Sequence, residues 1–140
     1  MVPLLYIDTN VWIDHFRGRS DGLRPLGEFA FQLLRRALNC QFNIIVSSVL
    51  IDELIYNTFE DSIMKRLPDF DALGKIVRVS ANKEDIKRAR DICKARKTQF
   101  NDTLHAVLAQ RIGADYFVTR NVKDFIDLQD FVRVMLPERL

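Results

Sequence analysis

Little in this chain invites covalent or soft-metal chemistry. It has two cysteines, Cys40 and Cys93, far apart and without CxxC partners. That argues against a zinc site, and isolated cysteines of this kind read as small buried apolar residues in a reducing cytosol. The two histidines, His15 and His105, lack the partners that a Ser-His-Asp or Cys-His nucleophile needs. No apolar run approaches the roughly 18 residues of a membrane span. The N-terminus has no basic segment leading into an apolar stretch and a small-residue cleavage site, so a cytoplasmic protein is expected. Charge of one sign is nearly absent as an excess: 21 Lys and Arg face 19 Asp and Glu, a net +2. An imbalance so small does not argue for nucleic acid, and the placement of the charges matters more than their sum. There are no repeats, low-complexity segments or linkers. With 140 residues, 48% of them hydrophobic, the chain is expected to form one domain over 1–140 around a sizeable core.

What is present is an alternation of short apolar runs with helical patterns. Strands are expected at Leu4 to Ile7, in FNIIVSS, in KIVRVS, in DYFVTR and in FVRVML. Between them the spacing predicts helices from Thr9 or Asn10 to His15, from Glu28 to Asn39, from Val49 to about Phe59, and from Asp61 to Leu73 with an interruption at Pro68. Two more are expected from Asn82 to about Lys97 and from Asn101 or Asp102 to Ile112, the last ended by Gly113. Residues 17–27, with Pro25 and three of the five glycines, read as a loop. Apolar, β-branched strands alternating with helices predict an α/β fold with a central parallel sheet of four to five strands covered on both faces. In such folds ligands bind beyond the carboxyl ends of the strands.

That rule gives meaning to YIDTNVWID, where an apolar strand ends abruptly at Asp8. Asp8 can cap the helix that follows, or it can hold a ligand. Three other segments bring acids or amides to the same expected edge. Glu53 lies early in the helix after the second strand, and Asp102 in the first turn of the helix feeding the fourth. Asn121 and Asp124 come directly after that fourth strand. Clustered carboxylates repel one another and favour either protonation or a hard divalent cation. Mg²⁺ or Mn²⁺ held there would orient a phosphate and lower the pKa of water, so the pattern points to metal-assisted phosphoryl chemistry.

The blocks YIDTNVWID, SSVLIDELI and FNDTLHAVLAQRIGADYFVTRNVKDF, in this order, resemble the PIN-domain nucleases, including the VapC-type toxins of toxin–antitoxin pairs. The likeness spans nearly the whole chain, and the last block is its most specific part. By resemblance Asp8, Glu53 and Asp102 take the places of the family's first three acids. The fourth place, commonly Asp in a TRD-like turn, is held by Asn121, a departure that puts a second metal ion in question; Asp124 lies three residues on and could substitute. Thr9 and Asn10 would hydrogen-bond the cluster, and Arg120 would meet a substrate phosphate. The resemblance implies a PIN-like fold and Mg²⁺- or Mn²⁺-dependent cleavage of RNA to 5′-phosphate and 3′-hydroxyl ends. It also implies a homodimer and, in the toxin branch, a small antitoxin. Two rivals keep the fold: a housekeeping PIN nuclease in RNA processing, and a non-catalytic RNA-binding or scaffolding module.

Other residues have plainer readings. Asp52 points about 100° away from Glu53 on its helix and reads as solvated. Asp14 reads as a surface residue and Asp115 as a turn residue at the wrong edge. His105, one turn past Asp102, reads first as structural. Lys87, Arg90, Lys94 and Lys97 share one helical face, which could follow a phosphate backbone but reads first as a solvated surface.

Overall fold

The computed structural model describes residues 2–18 and 25–140. Among the described residues five strands are joined by six α-helices: β1 Leu4–Ile7, α1 Thr9–Arg17, α2 Leu26–Leu38, β2 Asn43–Ser47, α3 Ser48–Tyr56, α4 Glu60–Ala72, β3 Ile76–Val79, α5 Lys83–Arg96, α6 Phe100–Ile112, β4 Tyr116–Val118 and β5 Val134–Met135. Short 3-10 helices cover Val122–Leu128 and Pro137–Arg139. The sheet order is β3-β2-β1-β4-β5, and every pairing is parallel. This is the expected α/β architecture. Among the described residues, no helix is long and apolar enough to cross a membrane.

Alternation along the central strands builds two cores. Leu5, Ile7, Ile44, Val46 and Val118 face α1 to α4, where Trp12, Leu33, Leu50 and Phe70 are buried. Tyr6, Ile45 and Phe117 face the other way, onto α5, α6 and the first 3-10 helix. A sheet buried on both faces needs no polar side, hence the continuous apolar runs. After β1 the chain fills β2 and β3 on one side, then crosses to place β4 on the other. The crevice at the carboxyl ends of β1 and β4 is therefore the topological switch point, where such folds hold ligands.

Local chemistry sets the helix ends. The Ser47 hydroxyl accepts the Leu50 N–H at 3.0 Å to start α3. Asn82 and Asp85 form a reciprocal capping box at α5. Gly113 ends α6 at φ +80°, a conformation that costs glycine little. Gly27 lets α2 press on the end of α1: a Cβ there would lie 2.7 Å from the Cα of Gly18.

Several expectations need correction. Helix α4 runs through Pro68 without interruption, because Ile63, Leu67 and Phe70 on both sides of it are buried in one core. Strand β5 is two residues long: the Phe131 N–H turns back to the Leu128 carbonyl, and Val132 is buried in the second core rather than joining the ladder. Cys40 is exposed and only Cys93 is partly covered, so neither is the small core residue expected; both are free thiols. Of the loop expected over 17–27, residues 19–24 lie outside the described residues, and Leu26 and Gly27 already belong to α2.

Candidate active site

Asp8 both ends β1 and caps α1. Its Oδ1 accepts the Thr9 N–H at 2.8 Å, and its Oδ2 accepts the Thr119 hydroxyl at 2.9 Å, across the crevice between β1 and β4. The Asp8 N–H donates to the Val118 carbonyl at 2.8 Å, so the strand pairing itself delivers the carboxylate to the edge. Thr119 is a hub. Besides donating to Asp8, its hydroxyl accepts from the Asn10 amide at 3.2 Å and from the Asn121 N–H at 3.1 Å. The Asn10 carbonyl oxygen accepts the Arg120 N–H at 3.3 Å. The turns after β1 and β4 are thus tied together, with Asn10 acting through Thr119.

Glu53 projects from α3 toward the same rim, where Nε2 of His105 hydrogen-bonds Oε1. His105 is buried one turn past Asp102, and its Nδ1 meets the Tyr6 hydroxyl at 2.5 Å. Tyr6 in turn meets the Ser47 Oγ at 2.7 Å. Protonation of His105 orients this relay. In the neutral ring that donates its Nε2–H to Glu53, Nδ1 accepts from Tyr6 and Tyr6 accepts from Ser47; in the charged ring the Nδ1–H donates to Tyr6, which then donates to Ser47. The relay begins at the cap of α3 and ends on the carboxylate that α3 carries.

Charge at the rim shifts proton affinities. Burial raises the pKa of Asp8, and the Glu53 charge adds to this against His105, Thr119 and the Thr9 N–H. Asp102 is pushed up to about 6, by burial first and then by the charges of Asp8, Asp124 and Glu53. Burial would raise Glu53, but its hydrogen bonds to His105 and Thr9 and the His105 charge outweigh this and hold it low. His105 is raised: burial opposes its charge, and the hydrogen bond it donates to Glu53 prevails together with the nearby acids. Asp102 therefore feels acids from three other chain segments. The exposed Asp124 is one of them, whereas Asn121 joins the network through its backbone N–H.

The family model for the PIN domain matches residues 5–130. The chain belongs to the PIN-domain family. Members of this family are nucleases. Three solved structures are similar in fold. FitAcB from Neisseria gonorrhoeae is 18% identical with a TM-score of 0.63, over 97% of this chain and 99% of that one. VapBC2 from Rickettsia felis, bound to a promoter DNA fragment, is 17% identical with a TM-score of 0.67, over 95% and 98%. A toxin–antitoxin complex from Klebsiella pneumoniae is 21% identical with a TM-score of 0.59, over 95% and 97%. No curated protein is significantly similar in sequence.

In this PIN domain the donors at the rim are all oxygens on carboxylates, the set a hard divalent cation takes. The raised pKa of Asp102 marks negative charge that such an ion would relieve. The acids share a field without closing on one point: among the described residues, no three His, Cys, Asp or Glu side chains form a ready metal cage. On donor chemistry the residues fit an ion that would draw Asp8, Glu53 and Asp102 together, with Asp124 beside them.

Asp14 is not the surface residue expected. It is buried at 2% exposure, and its Oδ2 lies 3.1 Å from Nε of Arg120. Arg120 thus stands at the mouth of the site already paired, its side chain 27% exposed. Asp14→Ala should cost about 2 kcal/mol in urea unfolding; Arg120 is partly hydrated, so the loss stays below that of a fully buried pair. Thr119, Tyr6 and Ser47 escaped the sequence reading because uncharged side chains at strand ends carry no functional signal of their own. The available cue was the position of Thr119, just before Arg120 and Asn121.

Proposed function

We propose that this PIN domain is a Mg²⁺- or Mn²⁺-dependent endoribonuclease of the cytoplasm, the toxin of a toxin–antitoxin pair, acting as a homodimer held in check by a small antitoxin protein. One observation carries the chemistry: Asp102 shares the switch-point crevice with Asp8, Glu53 and Asp124, and its burial there together with their charges lifts its pKa to about 6. The toxin role is supported by neighbours that are themselves toxin–antitoxin complexes.

Bound among Asp8, Glu53 and Asp102, with Asp124 beside them, the ion would supply positive charge for a phosphodiester and a lowered pKa for water. The protein does the rest. Thr119 and the Thr9 N–H hold both oxygens of Asp8, so that carboxylate is oriented before substrate arrives. His105 fixes Oε1 of Glu53 and so sets the orientation of that carboxylate. Arg120, steered by Asp14, stands where a substrate phosphate would enter. The family resemblance implies in-line hydrolysis that expels the 3′-oxygen, leaving a 5′-phosphate and a 3′-hydroxyl.

The test is cleavage of single-stranded and structured RNAs by purified protein, with Mn²⁺ or with EDTA. Cleavage that appears with Mn²⁺ and disappears with EDTA is the expected result. Cleavage that persists in EDTA, or absent cleavage together with no Mn²⁺-induced rise in melting temperature, overturns the proposal. The toxin role predicts growth arrest on expression, relieved by coexpressing a small protein encoded next door; expression without arrest favours RNA processing.

A further inference from the structure

We infer that a groove running from Glu53 across α5 is a track for single-stranded RNA, with the cations of α5 following the phosphate backbone and Tyr56 stacking on a base. Two adjoining cavities outline it. The first, about 650 Å³, is lined by Glu53, Tyr56, Asn101 and Ile86 among others, and so opens directly beside the acidic rim. The second, about 480 Å³, is lined by Lys83, Ile86, Lys87, Arg90, Asp91 and Lys94. Ile86 is common to both, which makes one path of the two.

The cations on this path differ from five arginines elsewhere that carboxylates already hold. Arg66, Arg78, Arg96, Arg111 and Arg120 each pair with an aspartate. Lys83, Lys87, Arg90 and Lys94 form no ion pair among the described residues, and all four are exposed. They occupy successive turns of one helical face and span about 16 Å of it. Asp91 offsets a single charge, leaving the groove strongly positive beside a strongly negative rim. A partner must satisfy both: negative charge spread along α5, and a reacting group carried past it to the acids. A polynucleotide does this, and an exposed positive groove is how proteins track its backbone. Tyr56, 88% exposed on the wall of the first cavity, offers the aromatic face that bases stack on. An acidic protein segment would match α5 but has no use for the cavity beside Glu53.

The inference takes its choice of polyanion from the nuclease reading, and its test separates the two. Fluorescence anisotropy would measure binding of a labelled single-stranded RNA of about 20 nucleotides to Asp8→Asn protein, silenced for cleavage. Adding Lys87→Gln, Arg90→Gln and Lys94→Gln should weaken binding at least about 10-fold and flatten the plot of log affinity against log salt by about 2, the loss of three phosphate contacts. Tyr56→Ala should weaken binding without changing that slope. Circular dichroism and melting curves establish that these surface variants fold. Equal affinity and slope with and without the three substitutions overturn the track, even where wild-type protein cleaves RNA. RNA binding that depends on α5 in a protein that cleaves nothing sustains the track and sinks the nuclease. Loss of polyglutamate binding with RNA binding unchanged overturns the track in favour of an acidic protein partner.

Discussion

Asp102→Asn is expected to lower cleavage by about 1000-fold while leaving the ion-free protein more stable at neutral pH than wild type. The two effects have one cause. Asp102 has its carboxyl raised to about 6 by burial and by Asp8, Asp124 and Glu53. A carboxyl that binds its proton more tightly when folded than when unfolded stabilises the fold at low pH. It loses that contribution as pH rises through the folded value. Ion-free wild type should therefore weaken between about pH 4 and 6 from this residue, and Asp102→Asn should be flatter there. Taken at full value the shift corresponds to roughly 3 kcal/mol. The side chain is partly exposed, and solvent screening reduces the gain of Asp102→Asn to roughly 1 kcal/mol. Urea unfolding in EDTA at pH 5 and pH 7.5 would measure it. Mn²⁺ should then raise the melting temperature of wild type, since a ligand that binds only the folded state stabilises it, and do so far less for the variant. A variant less stable than wild type at pH 7.5 in EDTA would contradict mutual repulsion at the rim.

His105→Ala should cost about 3 kcal/mol and cut cleavage 10- to 100-fold. The side chain is 1% exposed and joins Glu53 to Tyr6, so its removal empties a packed space and orphans two polar groups. Tyr6→Phe separates orientation from packing. It keeps the ring stacked on Phe117, at 5.1 Å between centroids, and removes only the hydroxyl that sets His105 against Glu53. A loss of about 1 kcal/mol is expected, with cleavage reduced in kcat more than in KM. His105 has its pKa raised, so its charged form adds stability at low pH that fades as pH rises through the folded value. Wild type should show this decline above about pH 6.5, and His105→Ala should lack it. Unchanged cleavage by a folded Tyr6→Phe protein would make the relay a structural element only.

The sequence by itself determined the layer plan and the edge at which the acids gather. Both follow from local rules. Apolar β-branched runs such as FNIIVSS specify strands covered on two faces, Asn82 and Gly113 mark helix ends, and a parallel α/β order sends Asp8, Glu53, Asp102 and the residues after β4 to the carboxyl side of the sheet. Tertiary structure alone decided which neutral residues hold those acids. His105 looks like any helical histidine until α6 packs beside α3 and Tyr6, and Thr119 is anonymous until β4 pairs with β1 and places its hydroxyl on Asp8. Asp14 reads as a surface residue because it is charged, although it lies one turn past buried Val11, and only the turn after β4 shows that Arg120 claims it. Periodicity reports which side of an element is buried. Hydrogen-bond partners 41 to 111 residues apart depend on how the elements stack, and no local pattern records that.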